Sequence, residues 1–336
     1  QGEAGALGKN QILNFYRYSH AYALDSGTLE SLKLAVVGER VVLYIPGFEL
    51  GGVVDSVSRE GVLNTVGVTL HNAMGRAVYL MRADGRLRGQ IFFNGQAEAL
   101  RFKGESPDEW IIEKASVSQI LCAPKGATYP LDGNILSANY AGDTSRQISN
   151  NTAAFQQLAL SSLPDATYCI YIDFDGESVT HPSWNGGTTV IAAPHAQAAN
   201  DSWVTVIWQR VAEDFAPFNI NVTTDRFVYN NTDNDKRVMC VVTPTSTVAP
   251  GLGGVAYVGS FGNDVPCWAF NAAEYACADT ISHEVGHTLS LLHDGQAGDA
   301  DQYFDGHGSG ETAWGAIMGA SFSDGNKNVS QWSKGE

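Results

Sequence analysis

The sequence predicts a mostly β unit followed by an α/β (α+β) unit, and three observations carry that expectation. A chain of 336 residues is long enough for two cores at roughly 100–200 residues per domain. Charge is split unevenly. Residues 1–125 hold 13 Lys+Arg and 13 Asp+Glu, whereas residues 126–336 hold 7 and 23 and so carry the whole net charge of −16. The apolar pattern also changes, from short runs broken by glycine to longer runs alternating with helical periodicity. The expected boundaries are a β unit over 1–125, a connector over 126–165 and an α/β unit over 166–336.

The β unit rests on runs such as Val41-Val42-Leu43-Tyr44-Ile45, Val66-Gly67-Val68-Thr69-Leu70, Ala77-Val78-Tyr79-Leu80 and Gln90-Ile91-Phe92-Phe93. Asp84-Gly85 and Asn94-Gly95 between them are hairpin signals. The connector is rich in Gly, Ser, Asn, Thr and Ala with weak periodicity, the composition of an exposed segment open to proteolysis.

In the α/β unit, Tyr168-Cys169-Ile170-Tyr171-Ile172 reads as a central strand buried on both faces. Asn200 and Asp201 can cap a helix whose apolar residues Val204, Ile207, Trp208, Val211 and Phe215 recur at helical spacing before Pro217. Strand-like runs follow at 219–224, 238–243, 255–258 and 267–270. A second helix is expected over 280–290 with Asp279 at its N-cap, and the last residues, 329–336, read as the start of another helix.

Apolar and aromatic contents of 44% and 10% exclude a disordered chain. The net negative charge disfavours nucleic acid and anionic membrane surfaces as partners. No uncharged apolar stretch approaches the roughly 20 residues that cross a bilayer, so no membrane span is expected. The chain starts at Gln1 without methionine, as after removal of a leader or after trimming; the expectation is a secreted, extracellular monomer. Five cysteines, at 122, 169, 240, 267 and 277, leave at least one thiol unpaired within the chain. Cys267 and Cys277, ten residues apart, are a disulfide candidate, with free buried thiols as the alternative.

The stretch Ile281-Ser282-His283-Glu284-Val285-Gly286-His287-Thr288-Leu289-Ser290-Leu291-Leu292-His293-Asp294 carries the chemistry. On a helix, His283 and His287 share one face and reach one ion. Glu284 stands roughly 100° around the helix, off the ligand pair but within reach of a water beside the ion. His293 joins them only if the chain turns near Ser290. Three imidazoles with one open position form the ligand set of a catalytic zinc. Three of the chain's eight histidines fall within these eleven residues, 283–293, which ordinary surface histidines do not explain.

Here the chain resembles the metzincin zinc endopeptidases, and the third His followed by Asp is most similar to their adamalysin (reprolysin) branch. Trp314-Gly315-Ala316-Ile317-Met318-Gly319 resembles the Met-turn beneath the zinc, with Met318 packing rather than ligating. Gly254, Val255, Ala256, Tyr257 and Val258 resemble the edge strand that pairs with extended substrate. The resemblance covers about 166–336 and implies a twisted mixed five-stranded sheet with an active-site helix. It also implies one catalytic zinc on His283, His287 and His293, Glu284 as general base, and hydrolysis of protein or peptide substrates. Two positions depart from the family. Ser290 replaces the glycine that ends the helix in the left-handed conformation, and Ala320 stands where some branches carry a zinc-binding tyrosine.

Cys122, in Ile120-Leu121-Cys122-Ala123-Pro124, resembles in placement a cysteine switch, the propeptide thiolate that fills the fourth position on zinc and keeps such enzymes latent. Residues 1–125 are then an inhibitory pro-domain, released by a cut within 123–165; the alternative is an ordinary half-buried cysteine. Asp299, Asp301 and Asp305 leave a calcium loop open beside a plain acidic loop, since their spacing lacks the terminal Glu of an EF-hand. Two other readings of the chain remain. One is a thermolysin-like zincin ligated by a downstream Glu such as Glu311. The other is a catalytically inactive zinc-bound binding or adhesion module.

Overall fold

The computed structural model describes residues 9–15, 20–22, 26–45, 47–106, 109–123, 127–130, 157–297, 303–321 and 329–333. The chain divides into two units. The first comprises Gln1–Ile120, Gly126–Leu131 and Thr180–Thr189, and the second Leu121–Lys125, Asp132–Val179 and Val190–Glu336. Three short segments therefore fall differently from the expected boundaries: 121–125, with Cys122, belongs to the second unit, and 126–131 and 180–189 to the first. Most of the expected connector, 131–156, lies outside the described residues.

In the first unit, alternation of apolar and polar residues gives long antiparallel strands with one face in a core. Helix α1 (Lys9–Phe15), strand β1 (His20–Tyr22) and helix α2 (Ser26–Leu34) lead into β2 (Arg40–Ile45), β3 (Phe48–Glu60), β4 (Leu63–Leu70), β5 (Gly75–Arg82), β6 (Leu87–Phe93), β7 (Glu98–Ser106) and β8 (Glu109–Ser116). They form one eight-stranded sheet in the order β1-β8-β7-β6-β5-β4-β3-β2, every pair antiparallel. The glycine-bearing turns after Arg82 and Phe93 are the hairpin connections read from the sequence. Its core holds Leu43, Val66, Tyr79, Phe93, Phe102 and Trp110 with Ile12 and Leu32 of the two helices. Arg76 on β5 pairs with Asp55 at 2.7 Å and donates to the Pro182 carbonyl, which ties segment 180–189 into this unit.

The second unit contains β9 (Tyr168–Asp173), β10 (Glu177–Val179), β11 (Val190–Ala192), α3 (Asp201–Phe215), β12 (Ile220–Thr223), α4 (Arg226–Asn231), β13 (Arg237–Val242), β14 (Gly254–Val255), β15 (Cys267–Ala269), α5 (Glu274–Thr288), β16 (Trp314–Ala316) and β17 (Val329–Gln331). A five-stranded mixed sheet runs β12-β9-β13-β15-β14, parallel except for the edge strand β14. Helix α3 begins where the sequence places it, with the Asn200 side chain accepting from Trp203 N at its N-cap. Its stripe of Val204, Ile207, Val211 and Phe215 meets Ile170, Ile172, Val222, Val238 and Val242 of the sheet and Ile281 and Val285 of α5 in a separate core.

Three expectations are corrected. Helix α5 starts at Glu274, with Ala273 at the N-cap; Asp279 lies inside the helix, where its carboxylate accepts from Ser330 at 2.8 Å and Ser321 at 3.3 Å. Residues 329–331 form a strand, not a helix, because they pair with β16 while Trp332 packs on Phe215 and donates to Asp214 O. The candidate disulfide is not formed. All five cysteines are free and buried, with Cys267 facing Cys240 across the parallel β13–β15 register and Cys277 in the first turns of α5. Among the described residues no helix is long and apolar enough to cross a membrane.

One side chain holds the strand ends of the second sheet. Gln157 Nε2 donates to Ile172 O and Thr224 O, both at 2.8 Å, and its Oε1 accepts from Phe174 N at 2.6 Å. Gln157→Ala leaves three backbone groups without that partner, so it lowers the stability of this unit by about 3 kcal/mol. Urea unfolding of the full chain followed by tryptophan fluorescence measures this, and an unchanged midpoint would refute the role given to Gln157.

Candidate metal centre

Apolar residues of α5 take one face of the helix into the core, which leaves His283, Glu284 and His287 on the other. All three are buried nonetheless, at 2%, 2% and 1% exposure. The helix stops because Ser290 takes φ 77°, the left-handed conformation expected at that position, which costs an L-residue roughly 1–2 kcal/mol. Two bonds close the end: Ser290 N donates to His287 O at 2.9 Å and Leu291 N to Gly286 O at 3.1 Å, the Schellman pattern. The reversed chain brings His293 back to the helix.

The three imidazoles meet through the same atom. His287 Nε2 lies 3.0 Å from His283 Nε2 and 3.0 Å from His293 Nε2. His283 Nδ1 donates to Ile317 O at 2.7 Å, and His287 Nδ1 donates to Leu291 O at 2.8 Å. Carbonyl oxygens only accept, so both Nδ1 atoms carry the proton and both Nε2 atoms present lone pairs. Burial holds His283 down to about 4, against the Ile317 hydrogen bond, and holds His287 well below the usual imidazole range. Neutral imidazoles with converging lone pairs repel unless a cation lies between them.

Cys122 completes the group. Its sulfur is 3.8 Å from His283 Nε2, 3.6 Å from His293 Nε2 and 3.5 Å from Glu284 Oε1. The four ligand atoms lie within 4.8 Å of one another. A tetrahedral zinc with bonds of about 2.0–2.1 Å to nitrogen and 2.3 Å to sulfur needs N···N edges near 3.3 Å and N···S edges near 3.6 Å. The donor set and spacing fit. Burial pushes the Cys122 thiol up, and the Glu284 carboxylate pushes it further; burial also raises Glu284, with the Cys122 hydrogen bond opposing. Glu284 Oε2 is buried with no hydrogen-bond partner among the described residues, so one carboxylate oxygen is left to take a proton.

The surrounding chain is shaped to this cluster. A Cβ on Gly254 of β14 would stand 2.6 Å from Glu284 Oε1, and one on Gly286 would stand 2.6 Å from Met318 Sδ. Glycine at these two points lets the edge strand pass over the glutamate and lets the Met318 thioether pack beneath the helix. Met318 O accepts from Asp294 N at 2.8 Å, so Asp294 anchors the loop after His293 through its backbone. Only Gly254 and Val255 of the expected edge form a strand. Beyond them Leu121 bridges Tyr257 antiparallel, and Cys122 N donates to Ala256 O at 2.9 Å. Segment 121–123 thus lies along Ala256 and Tyr257, ahead of Val258, where an extended peptide was expected. Underneath, Ser282 donates to Asp214 Oδ2 at 2.6 Å, joining α5 to α3.

Other candidates fall away from the cluster. Glu311 is exposed, and the His307 ring stacks on Trp314. Asp299 and Asp301 lie outside the described residues, and Asp305 is exposed. Asp173, at the end of β9, is fully buried and ion-paired with Arg226 at 2.8 Å. Sequence reasoning missed Tyr303, whose ring centroid is 4.2 Å from that of His293. Its neighbourhood, rich in Asp and Gly, drew attention to carboxylates, and no spacing rule links it to the histidines.

No protein-family model and no curated protein matches the chain. Among solved structures, a chain from the structure of a chaperone–substrate complex is similar at a TM-score of 0.22 and 13% identity, covering 29% of this chain and 80% of that one. So slight a likeness defines no shared fold.

Asp214 beneath the helix gives a pH test. Burial raises its carboxyl from 3.8 to about 7, with Ser282 opposing. The folded state therefore binds the proton more tightly than the unfolded state. That stabilisation is present in full below about pH 4 and is lost as pH rises through 7. Asp214→Asn flattens the fall in stability between pH 4 and 7, as thermal melts in chelator would record. An unchanged slope would contradict the raised value.

Proposed function

We propose that this chain is a zinc endopeptidase of the metzincin kind in its latent form, with zinc held by His283, His287, His293 and Cys122. The observation that carries the reading is the convergence of three Nε2 atoms, that of His287 lying 3.0 Å from those of His283 and His293, with the N–H groups of His283 and His287 turned to carbonyls. A buried carboxylate at 3.5 Å from the sulfur adds a base where a fourth ligand would be exchanged for substrate.

Zinc, when bound, supplies a Lewis acid for the peptide carbonyl and makes a nearby water acidic enough to attack at neutral pH. The chain's own residues do the rest. His283 and His287 stay neutral because burial disfavours their protonation and their Nδ1–H groups are fixed by Ile317 and Leu291. Glu284 takes the proton of the attacking water as its oxygen bonds to the carbonyl carbon. It then delivers that proton to the nitrogen as the C–N bond breaks. Its raised proton affinity suits both steps, since a carboxylate with an ordinary pKa would hold the proton too weakly to protonate the amine. An extended substrate runs antiparallel to Ala256 and Tyr257 by strand addition, in the place that 121–123 takes in the latent chain. Latency follows from the overlap: Cys122 excludes the carbonyl and water together, and a cut after it, within 123–165, frees the groove.

The test uses the full chain with one zinc equivalent and dye-labelled casein. Cys122→Ala hydrolyses casein without processing while the wild type stays slow. Adding Glu284→Gln to that variant lowers kcat by about 10²–10⁴-fold with zinc retained. A Cys122→Ala protein that holds zinc and cleaves nothing would overturn the reading in favour of a binding module.

A further inference from the structure

Attack on a peptide carbonyl leaves negative charge on its oxygen, and hydrogen-bond donors placed in advance for that oxygen lower the barrier. Few groups around the Cys122 sulfur can donate. Glu284 is an acceptor when ionised. His283 and His287 commit their N–H groups to Ile317 O and Leu291 O. Ala320, at the position where some metzincins carry a tyrosine, has no polar side chain.

Among the described residues, Tyr303 offers a hydroxyl there. Its hydroxyl acts on the Cys122 sulfur as a hydrogen-bonding group that opposes the upward push of burial and Glu284 on the thiol. Its ring lies 4.2 Å from the His293 ring at 42° and 6.3 Å from the His283 ring at 22°, centroid to centroid. The next residue fixes its place: Phe304 N donates to Asp294 O at 2.7 Å, and Phe304 O accepts from Ala320 N at 3.0 Å. Tyr303 is thereby strapped to the residue after His293 on one side and to the Met-turn on the other. Both contacts are backbone bonds, so the hydroxyl keeps its position when Cys122 leaves.

We propose that Tyr303 is a catalytic residue of this site, whose hydroxyl donates to the sulfur of Cys122 in the latent chain and to the scissile carbonyl oxygen of a substrate once that sulfur is gone. The proposal rests on the zinc endopeptidase reading. No proton is transferred by Tyr303; its O–H bond stays intact and the hydrogen bond strengthens as charge develops on the oxygen. The same donor serves both states because the sulfur and the carbonyl oxygen compete for one place.

Tyr303→Phe keeps the ring on His293 and deletes the hydroxyl alone. In the full chain loaded with cobalt(II), losing the donor raises the sulfur lone pairs in energy, so the thiolate-to-cobalt charge-transfer band moves to longer wavelength. In the Cys122→Ala background, Tyr303→Phe lowers kcat on dye-labelled casein by about 100-fold and weakens a phosphinic peptide inhibitor by a similar factor. KM stays within about threefold, as for an interaction made chiefly in the transition state. Unchanged kcat and phosphinic peptide affinity would overturn the proposal, whether or not the band shifts. A wild type without a charge-transfer band, or a Cys122→Ala protein without hydrolysis, fails earlier and differently: it overturns the zinc endopeptidase reading and this proposal with it.

Discussion

Three imidazole Nε2 atoms converging on one point are the constraint on which the second unit depends. With His287 Nε2 drawn to 3.0 Å from the Nε2 atoms of His283 and His293, the facing lone pairs of the buried His283 and His287 repel by themselves and attract a divalent cation. A zinc held by such a cluster would contribute its binding energy directly to folding. The chain spends several otherwise unfavourable choices to reach that geometry: a serine in the left-handed region at 290, a glycine inside a helix at 286, and a glutamate buried beside a thiol. Each loses its purpose if the histidines are separated.

The supporting contacts divide between fixing tautomers and fixing positions. Carbonyls of Ile317 and Leu291 select the proton on Nδ1, so nitrogen identity is set by backbone that the side chains cannot rearrange. Position comes from α5 packing against both the mixed sheet and α3, with Asp214 and Asp279 receiving the polar residues of the helix and of the last strand. Met318 closes the lower side against Gly286. This is a helix end, a turn and a strap converging from sequence positions 122, 283–293 and 303–318.

The local part of this was legible in the sequence. Helix α3 followed from its cap and stripe, and the His283–His287 pair from helical spacing. Ser290 was marked as the turning point because His293 could not otherwise reach its partners. What was not legible depended on tertiary contacts. Residues 329–331 read as a helix because their pairing partner, β16, lies thirteen or more residues upstream. Asp279 read as a cap because burial inside a helix is rarely tolerated by aspartate, and the serines that compensate it are at 321 and 330. Cys267 and Cys277 looked like a pair by distance along the chain, yet each faces the core as a small apolar side chain. Tyr303 was invisible for a similar reason, since only tertiary structure brings its ring to those of His283 and His293.

The account turns on a zinc ion shared by three imidazoles and one thiolate. X-ray absorption at the zinc edge of the purified full chain tests it most directly. The account predicts one zinc per chain with three nitrogen scatterers at about 2.0–2.1 Å and one sulfur at about 2.3 Å, the sulfur vanishing in Cys122→Ala while the three nitrogens remain. A first shell of nitrogen and oxygen alone in the wild type, or a chain that takes up no zinc, would contradict it.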